Sequence, residues 1–192
     1  MNRPVRLVLL LSTLVLWPSL AAADHGPDSE VTRRGGWTFQ SYATTTLSDD
    51  PGELHQLRLG VGRYLTDTLS LSAELVVGSF DAEVFEGVAG GDGTVFGVDA
   101  LLRWRFAEGE RWELALVGGL GVVRFDSPFP AVASRTNFED QVGLELAWYL
   151  NEQLRLLLGV RYLHVSNAGL FGGGRNPGYD AFVPQLGLAW SY

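Results

Sequence analysis

The sequence predicts an all-β fold: one eight-stranded antiparallel transmembrane β-barrel with a filled polar lumen. Three observations predict it. Eight segments of about a dozen residues alternate apolar and polar side chains with period 2, which suits the roughly 9–11 residues that a tilted strand needs to cross a bilayer. Connections between the segments alternate between short and long, as in outer-membrane barrels. After the N-terminal region no stretch reaches the run of about 18 apolar residues that a spanning helix requires.

The elements follow in order. Residues 1–23 have the layout of a secretory signal peptide: Arg3 and Arg6, an apolar run from Leu7 to Trp17, and Ala21-Ala22-Ala23 before Asp24. No cysteine follows this cleavage site, so a lipoprotein anchor is not available. Residues 24–35 are polar and mixed, and read as a flexible leader. The barrel occupies 36–192. Segments 36–47 and 54–65 alternate weakly. In 68–79, Leu69, Leu71, Ala73, Leu75 and Val77 oppose Ser70, Ser72, Glu74 and Gly78. In 94–106, Phe96, Val98, Ala100, Leu102, Trp104 and Phe106 oppose Asp99, Leu101, Arg103 and Arg105. In 111–124, Trp112, Leu114, Leu116, Leu120 and Val122 oppose Glu113, Ala115, Gly119 and Gly121. In 136–150, Val142, Leu144, Leu146, Trp148 and Leu150 oppose Glu139, Gln141, Gly143, Glu145, Ala147 and Tyr149. In 153–166, Leu154, Leu156, Leu158, Val160 and Tyr162 oppose Arg155, Leu157, Gly159, Arg161 and Leu163. The last, 180–192, sets Phe182, Leu186, Leu188, Trp190 and Tyr192 against Ala181, Gln185, Gly187, Ala189 and Ser191. Pro184 cannot donate to a ladder, and a bulge is the expected accommodation.

The turns at Thr66-Asp67, Ala107 to Glu110 and Asn151-Glu152 are brief, whereas the connections near 48–53, 80–93, 125–135 and 167–179 are mostly longer. An even strand count then puts both termini at the short-turn, periplasmic end. Eight strands leave an interior just wide enough for side chains. Arg58, Glu74, Asp99, Arg103, Glu113, Glu145, Arg155 and Arg161 are therefore expected to pair in the lumen and fill it, rather than line a pore. Trp37, Trp104, Trp112, Trp148 and Trp190 gather at the short-turn ends of the strands as an interfacial girdle.

Composition agrees once it is split by face. The 192 residues include 24 glycines, no cysteine and a formal net charge of −8, and all 14 basic residues are arginine. The missing cysteines exclude disulfides, thiolate chemistry and cysteine-based zinc sites. The acidic balance excludes nucleic acid as a partner. A mean hydropathy of +0.10 excludes a helical membrane bundle, but it is what a barrel with one greasy and one polar face averages to. A soluble ligand-binding barrel would turn its apolar face inward. Here the polar face carries the glycines and potential ion-pair partners.

The seventh segment carries the functional signal. Above Tyr162 on the lipid-facing row come His164 and Ser166, and the eighth segment begins with Asp180 on the same face. Because the two strands are antiparallel neighbours, Asp180 should lie beside His164. A nucleophile, a base and an orienting acid thus converge at the outer rim, and ionisable groups at such a position default to a functional reading. Taken singly, each has an ordinary explanation: Ser166 ends a strand before Asn167, His164 is interfacial, and Asp180 belongs to a turn. His25 falls in the leader and His55 reads as surface.

The run His164-Val165-Ser166-Asn167-Ala168-Gly169-Leu170, followed by Asn176-Pro177-Gly178, resembles the signature of the PagL-type lipid A 3-O-deacylases. The resemblance is sharpest over about 161–182 and extends more loosely to size, signal peptide and strand pattern. It implies an outer-membrane esterase that removes the ester-linked 3-hydroxyacyl chain from the 3-position of lipid A, with Ser166 as nucleophile and His164 as base. The acid matching the family's Glu is Asp180, one methylene shorter, and the preceding loop carries an extra Gly172-Gly173-Gly174. Asp140 is a backup acid and Glu152 a poorer one at the periplasmic end. Backbone N–H groups near Asn176 and Gly178, with the Asn167 side chain, are the expected oxyanion donors. No metal or cofactor is implied. Expected partners are lipid A or lipopolysaccharide in the outer leaflet, the surrounding membrane lipid and, as an open option, a second copy of the chain. The alternative is a non-catalytic structural or adhesive barrel resembling OmpX-like proteins. A lumen-based acyltransferase would need its catalytic groups facing inward, against the parity of the seventh strand.

Overall fold

The computed structural model describes residues 32–48, 50, 52–84, 87–170 and 176–192. Their strands are β1 (Trp37–Thr45), β2 (Glu53–Tyr64), β3 (Leu69–Asp81), β4 (Asp92–Gly109), β5 (Trp112–Phe125), β6 (Thr136–Tyr149), β7 (Leu154–Ser166) and β8 (Tyr179–Ser191). Each pairs antiparallel with its sequence neighbours, and β1 pairs with β8 to close the barrel. Every expected segment is therefore a strand, displaced by at most three residues at an end. The expected signal peptide lies outside the described residues. Of the leader, 32–35 are described, and they are tied to the short-turn end. There Gly35 N–H donates to the Tyr64 carbonyl at 2.8 Å and Arg34 N–H to the Asp67 carboxylate at 3.1 Å.

Two local details depart from the expected pattern. β4 runs on to Gly109, because a bulge between Arg105 and Ala107 absorbs one residue and the turn shrinks to Glu110 and Arg111. Pro184, by contrast, causes no bulge. Thr44↔Gln185 and Leu47↔Phe182 belong to one unshifted register, and the ladder lapses at the proline between them. It resumes where Leu47 and Phe182 exchange backbone bonds of 2.7 and 2.9 Å. One forgone bond near the end of the β1–β8 seam replaces an inserted residue.

The outward face is apolar. Leu59, Val98, Leu120, Leu144, Val160 and Leu186 are all between 44 and 68% exposed, which only a lipid-facing surface explains at this density. At the short-turn end Trp37, Trp104, Trp148 and Trp190 form the aromatic girdle, with Phe39, Trp190 and Tyr192 stacked upon one another.

The lumen is filled in two layers. Toward the short turns and the middle it holds a buried charge network. Arg58 meets Asp99, Glu139 and Glu74; Arg161 meets Glu74 at 3.2 Å; Arg103 joins Glu113 and Glu145, each at 2.7 Å. All eight expected lumen charges are in this network, with Arg105, Glu139 and the hydroxyls of Tyr42, Tyr64 and Tyr149 added to it. Charges withdrawn from water are tolerable only with such pairing. The close packing needs glycine locally: a Cβ on Gly121 would fall 1.7 Å from Asp99 Oδ1.

Toward the long loops the inner face turns apolar, a change that the alternation pattern alone does not reveal. Leu54, Phe80, Val95, Phe125, Leu163 and Tyr179 are buried there. Phe129, from the β5–β6 connection, inserts among them, with ring centroids 4.8–5.3 Å from Tyr179, Phe125 and Phe80. This cluster closes the long-loop end of the lumen. Phe129→Ala is expected to destabilise the barrel by about 3–5 kcal/mol, the usual cost of emptying a fully buried aromatic site. Urea titration of the detergent-folded protein, followed by the gel shift between folded and unfolded forms, measures it.

Candidate active site on the outward face

The site lies where β7 ends and β8 begins, at the long-loop end of the outward face. Its placement follows from strand parity and antiparallel register: His164 pairs across the strands with Asp180 on β8 and with Asp140 on β6. Opposed outward positions bring side chains within reach. His164 Nδ1 and Asp180 Oδ1 are 2.8 Å apart, with side chains 36 and 46% exposed. The carboxylate thus sets the imidazole so that Nε2 is the free nitrogen, the orientation a general base needs.

Ser166, the last residue of β7, points the same way and lies opposite Phe138. Among the described residues its hydroxyl has no hydrogen-bond partner, and no bond joins it to His164. Alternate residues on a strand stand about 6.5 Å apart at Cα, and a ligand-free nucleophile and base commonly lie apart until substrate draws them together.

The following loop is organised by the two asparagines. Asn167 N–H donates to Asn176 Oδ1 at 2.7 Å, and Gly169 N–H donates to Asn167 Oδ1 at 2.9 Å. The backbone N–H next to Ser166 is therefore engaged. The Asn176 carboxamide is tethered beside Ser166 by its oxygen, leaving its amino group to donate. Gly178 lies against the imidazole: a Cβ there would sit 2.8 Å from His164 Cε1, so any larger residue would push the base aside. Asp140 shares the outward row with His164 but makes no ion pair with it, and Glu152 lies at the opposite end of the barrel. Of the three acids, Asp180 alone bonds to the imidazole among the described residues.

Three contributors escape a reading of the sequence. Tyr162 counts there as one more lipid-facing ring, yet its hydroxyl donates to Asp180 Oδ1 at 2.7 Å. Its signal was its diagonal position across the β7–β8 pair, within reach of a long side chain. The other two come from the β1–β2 loop. Asp50 Oδ2 accepts the Asp180 N–H at 2.7 Å, and the Ser48 hydroxyl donates to the Asp180 carbonyl. Only barrel closure brings these residues to β8, and no local pattern marks them.

Two depressions flank the Tyr162–His164–Asp180 group. One, about 630 Å³, runs across the outward face past Leu71, Ala100, Gly118, Val142 and Tyr162 to His164. Small residues make it: Gly118 stands where leucines and valines surround it, and a Cβ there would touch only the Gln141 carbonyl, at 3.8 Å. The other, about 590 Å³, is more polar and lies between the β1–β2 loop and the start of β8, with Ser48, Asp50, Tyr162 and Asp180 in its wall.

A family model described as lipid A 3-O-deacylase (PagL) matches residues 54–189. The chain belongs to the PagL family. This makes the resemblance carried by the His164–Ser166 run a family assignment, at the level of a lipid A deacylase of the outer membrane. No match is found among curated proteins. Solved structures agree on the fold. OprG of Pseudomonas aeruginosa is 15% identical at a TM-score of 0.60, with 83% of this chain and 97% of that one covered. The outer membrane enzyme PagL is 23% identical at 0.58, covering 79 and 98%. Neisserial surface protein A is 12% identical at 0.55, covering 82 and 96%. At 12–23% identity these structures show the fold alone, and the activity has to be argued from the site.

Proposed function

We propose that this PagL-family protein is a serine esterase that removes the 3-hydroxyacyl chain ester-linked at the 3-position of lipid A, which reaches it sideways from the outer leaflet at the extracellular rim. The observation that carries the reading is the His164–Asp180 pair, 2.8 Å apart and turned toward lipid beside Ser166. A polar cluster of this kind on an otherwise greasy face is costly without a function.

His164 Nε2 takes the proton of Ser166 as Oγ bonds to the ester carbonyl carbon, and the carbonyl oxygen becomes an oxyanion. The Asn176 amide and backbone N–H groups near Asn176 and Gly178 are the donors at hand for it; each such donor typically contributes about 3 kcal/mol to the transition state. The bond to the sugar oxygen then breaks, and His164 returns its proton to that oxygen. Water, deprotonated by the same nitrogen, attacks the acyl-serine carbonyl. The 3-hydroxy acid leaves and Ser166 recovers its proton. Asp180 keeps the imidazole oriented and stabilises its charged form throughout. The substrate's acyl chain lies in the groove past Gly118, and the filled lumen takes no part.

Mass spectrometry of lipid A from a Gram-negative host expressing the chain tests the reading. Loss of one 3-hydroxyacyl chain is expected, and an unchanged lipid A with folded protein in the membrane would leave the non-catalytic barrel as the better account. The groove has its own test. Gly118→Leu fills it without disturbing the backbone and is expected to lower kcat/KM about tenfold or more, since a misfit of one or two methylenes in an apolar pocket has that effect, while the unfolding transition stays in place.

A further inference from the structure

We infer that Tyr162 is a positioning residue for the catalytic acid: its phenol locks the Asp180 carboxylate in the orientation that holds His164. The inference rests on the reading of Asp180 as the acid of the Ser166–His164 pair. It starts from a weakness of that acid. Asp180 is the second residue of its strand and its side chain is 46% exposed, so a single bond to an imidazole would leave the carboxylate free to rotate and to be solvated. Buried triad acids avoid this by being enclosed, whereas an acid on the outward rim of a barrel has no enclosure.

The structure supplies a second tether. Tyr162 Oη donates to Asp180 Oδ1 at 2.7 Å, and the same oxygen faces His164 Nδ1 at 2.8 Å. Two donors converging on one carboxylate oxygen fix its rotation where either alone would not. The phenol is itself held, since its ring packs edge-on against Phe182, with centroids 5.8 Å apart at 68°. The main chain of Asp180 is anchored separately by Asp50 and Ser48 of the β1–β2 loop. Backbone and carboxylate are thus fixed from different parts of the barrel, and among the described residues Tyr162 alone bonds to the carboxylate besides His164.

Tyr162 also borders both depressions, so its ring could merely contact lipid. Kinetics separate the two roles. Tyr162→Phe keeps the ring and deletes the donor. It is expected to lower kcat about tenfold per folded barrel with KM unchanged, the scale of a lost hydrogen bond to a charged group. In an Asp180→Asn background, followed over long incubations with purified lipid A in detergent, the same replacement is expected to change kcat less than about twofold, because the group it positions is already gone. Native kcat in Tyr162→Phe overturns the inference. So does an equal loss in both backgrounds, or a rise in KM at unchanged kcat. Ser166→Ala serves as the control on the underlying reading: full activity there would remove the mechanism itself, whatever Tyr162 does.

Discussion

Ser166→Ala is expected to abolish lipid A deacylation, lowering kcat about 10⁴-fold or more, because in the proposed mechanism the acyl group then has no atom to form its covalent intermediate with. The same change is expected to leave the barrel as stable as before. Ser166 is the final residue of β7, half-buried, and its hydroxyl has no partner among the described residues. Nothing that holds the fold is therefore lost, and a surface replacement of this kind normally shifts stability by no more than about 0.5 kcal/mol. The combination is informative. A mass spectrum retaining the full acyl complement, together with an unchanged urea transition, separates a chemical role from a structural one. A Ser166→Ala protein that still deacylates would show that another nucleophile acts. His164→Ala should be similarly inactive, and by nearly the same factor, since removing the base disables the same step.

Glu113→Leu is expected to have the opposite signature, a large loss of stability in a residue remote from the chemistry. Glu113 is fully buried in the lumen. Its carboxylate accepts from Arg103 at 2.7 Å, Arg155 at 2.9 Å, Arg105 at 3.3 Å and the Tyr149 hydroxyl at 2.9 Å. Leucine is close in volume but leaves Arg155 with no carboxylate partner among the described residues and strips one from the other two arginines. Breaking a buried ion pair from one side typically costs about 3–5 kcal/mol, and here three cations share the loss. Urea unfolding in detergent micelles measures the shift. A change smaller than about 1 kcal/mol would mean that water or rearranged arginines compensate inside the barrel. By contrast Glu53→Gln, at the rim, breaks, among the described residues, only an exposed 3.6 Å contact with His55 and should leave the transition where it is.

These two residues illustrate what each level of structure decides. Glu113 was legible because period 2 is a property of the strand itself: alternate side chains face opposite ways whatever the partner. The same rule separated the lumen charges from the lipid-facing leucines. Together with the short turns it located all eight strands. It also brought out His164 and Asp180, since two consecutive antiparallel strands joined by one loop must bring their adjoining ends together. Ser166 was legible as a residue on the same face as His164, and the resemblance to the family signature suggested the role proposed for it, but its distance from His164 was not legible. That depends on how the strand end bends and on what binds there.

The rest belonged to tertiary structure alone. Phe129 reads as part of a proline-flanked loop, and only the closed barrel offers it a cavity among Phe80, Phe125 and Tyr179. The lapse at Pro184 and the bulge after Arg105 were settled by which of two small costs the finished sheet bears more easily. The anchoring of Asp180 by Ser48 and Asp50 joins residues about 130 positions apart, which meet because β1 closes on β8. Local sequence therefore determined the faces, the strands and the chemistry displayed on them, because these follow from backbone geometry over neighbouring residues. Closure of the barrel decided which of those groups touch, because contact across the seam depends on the register of every strand between.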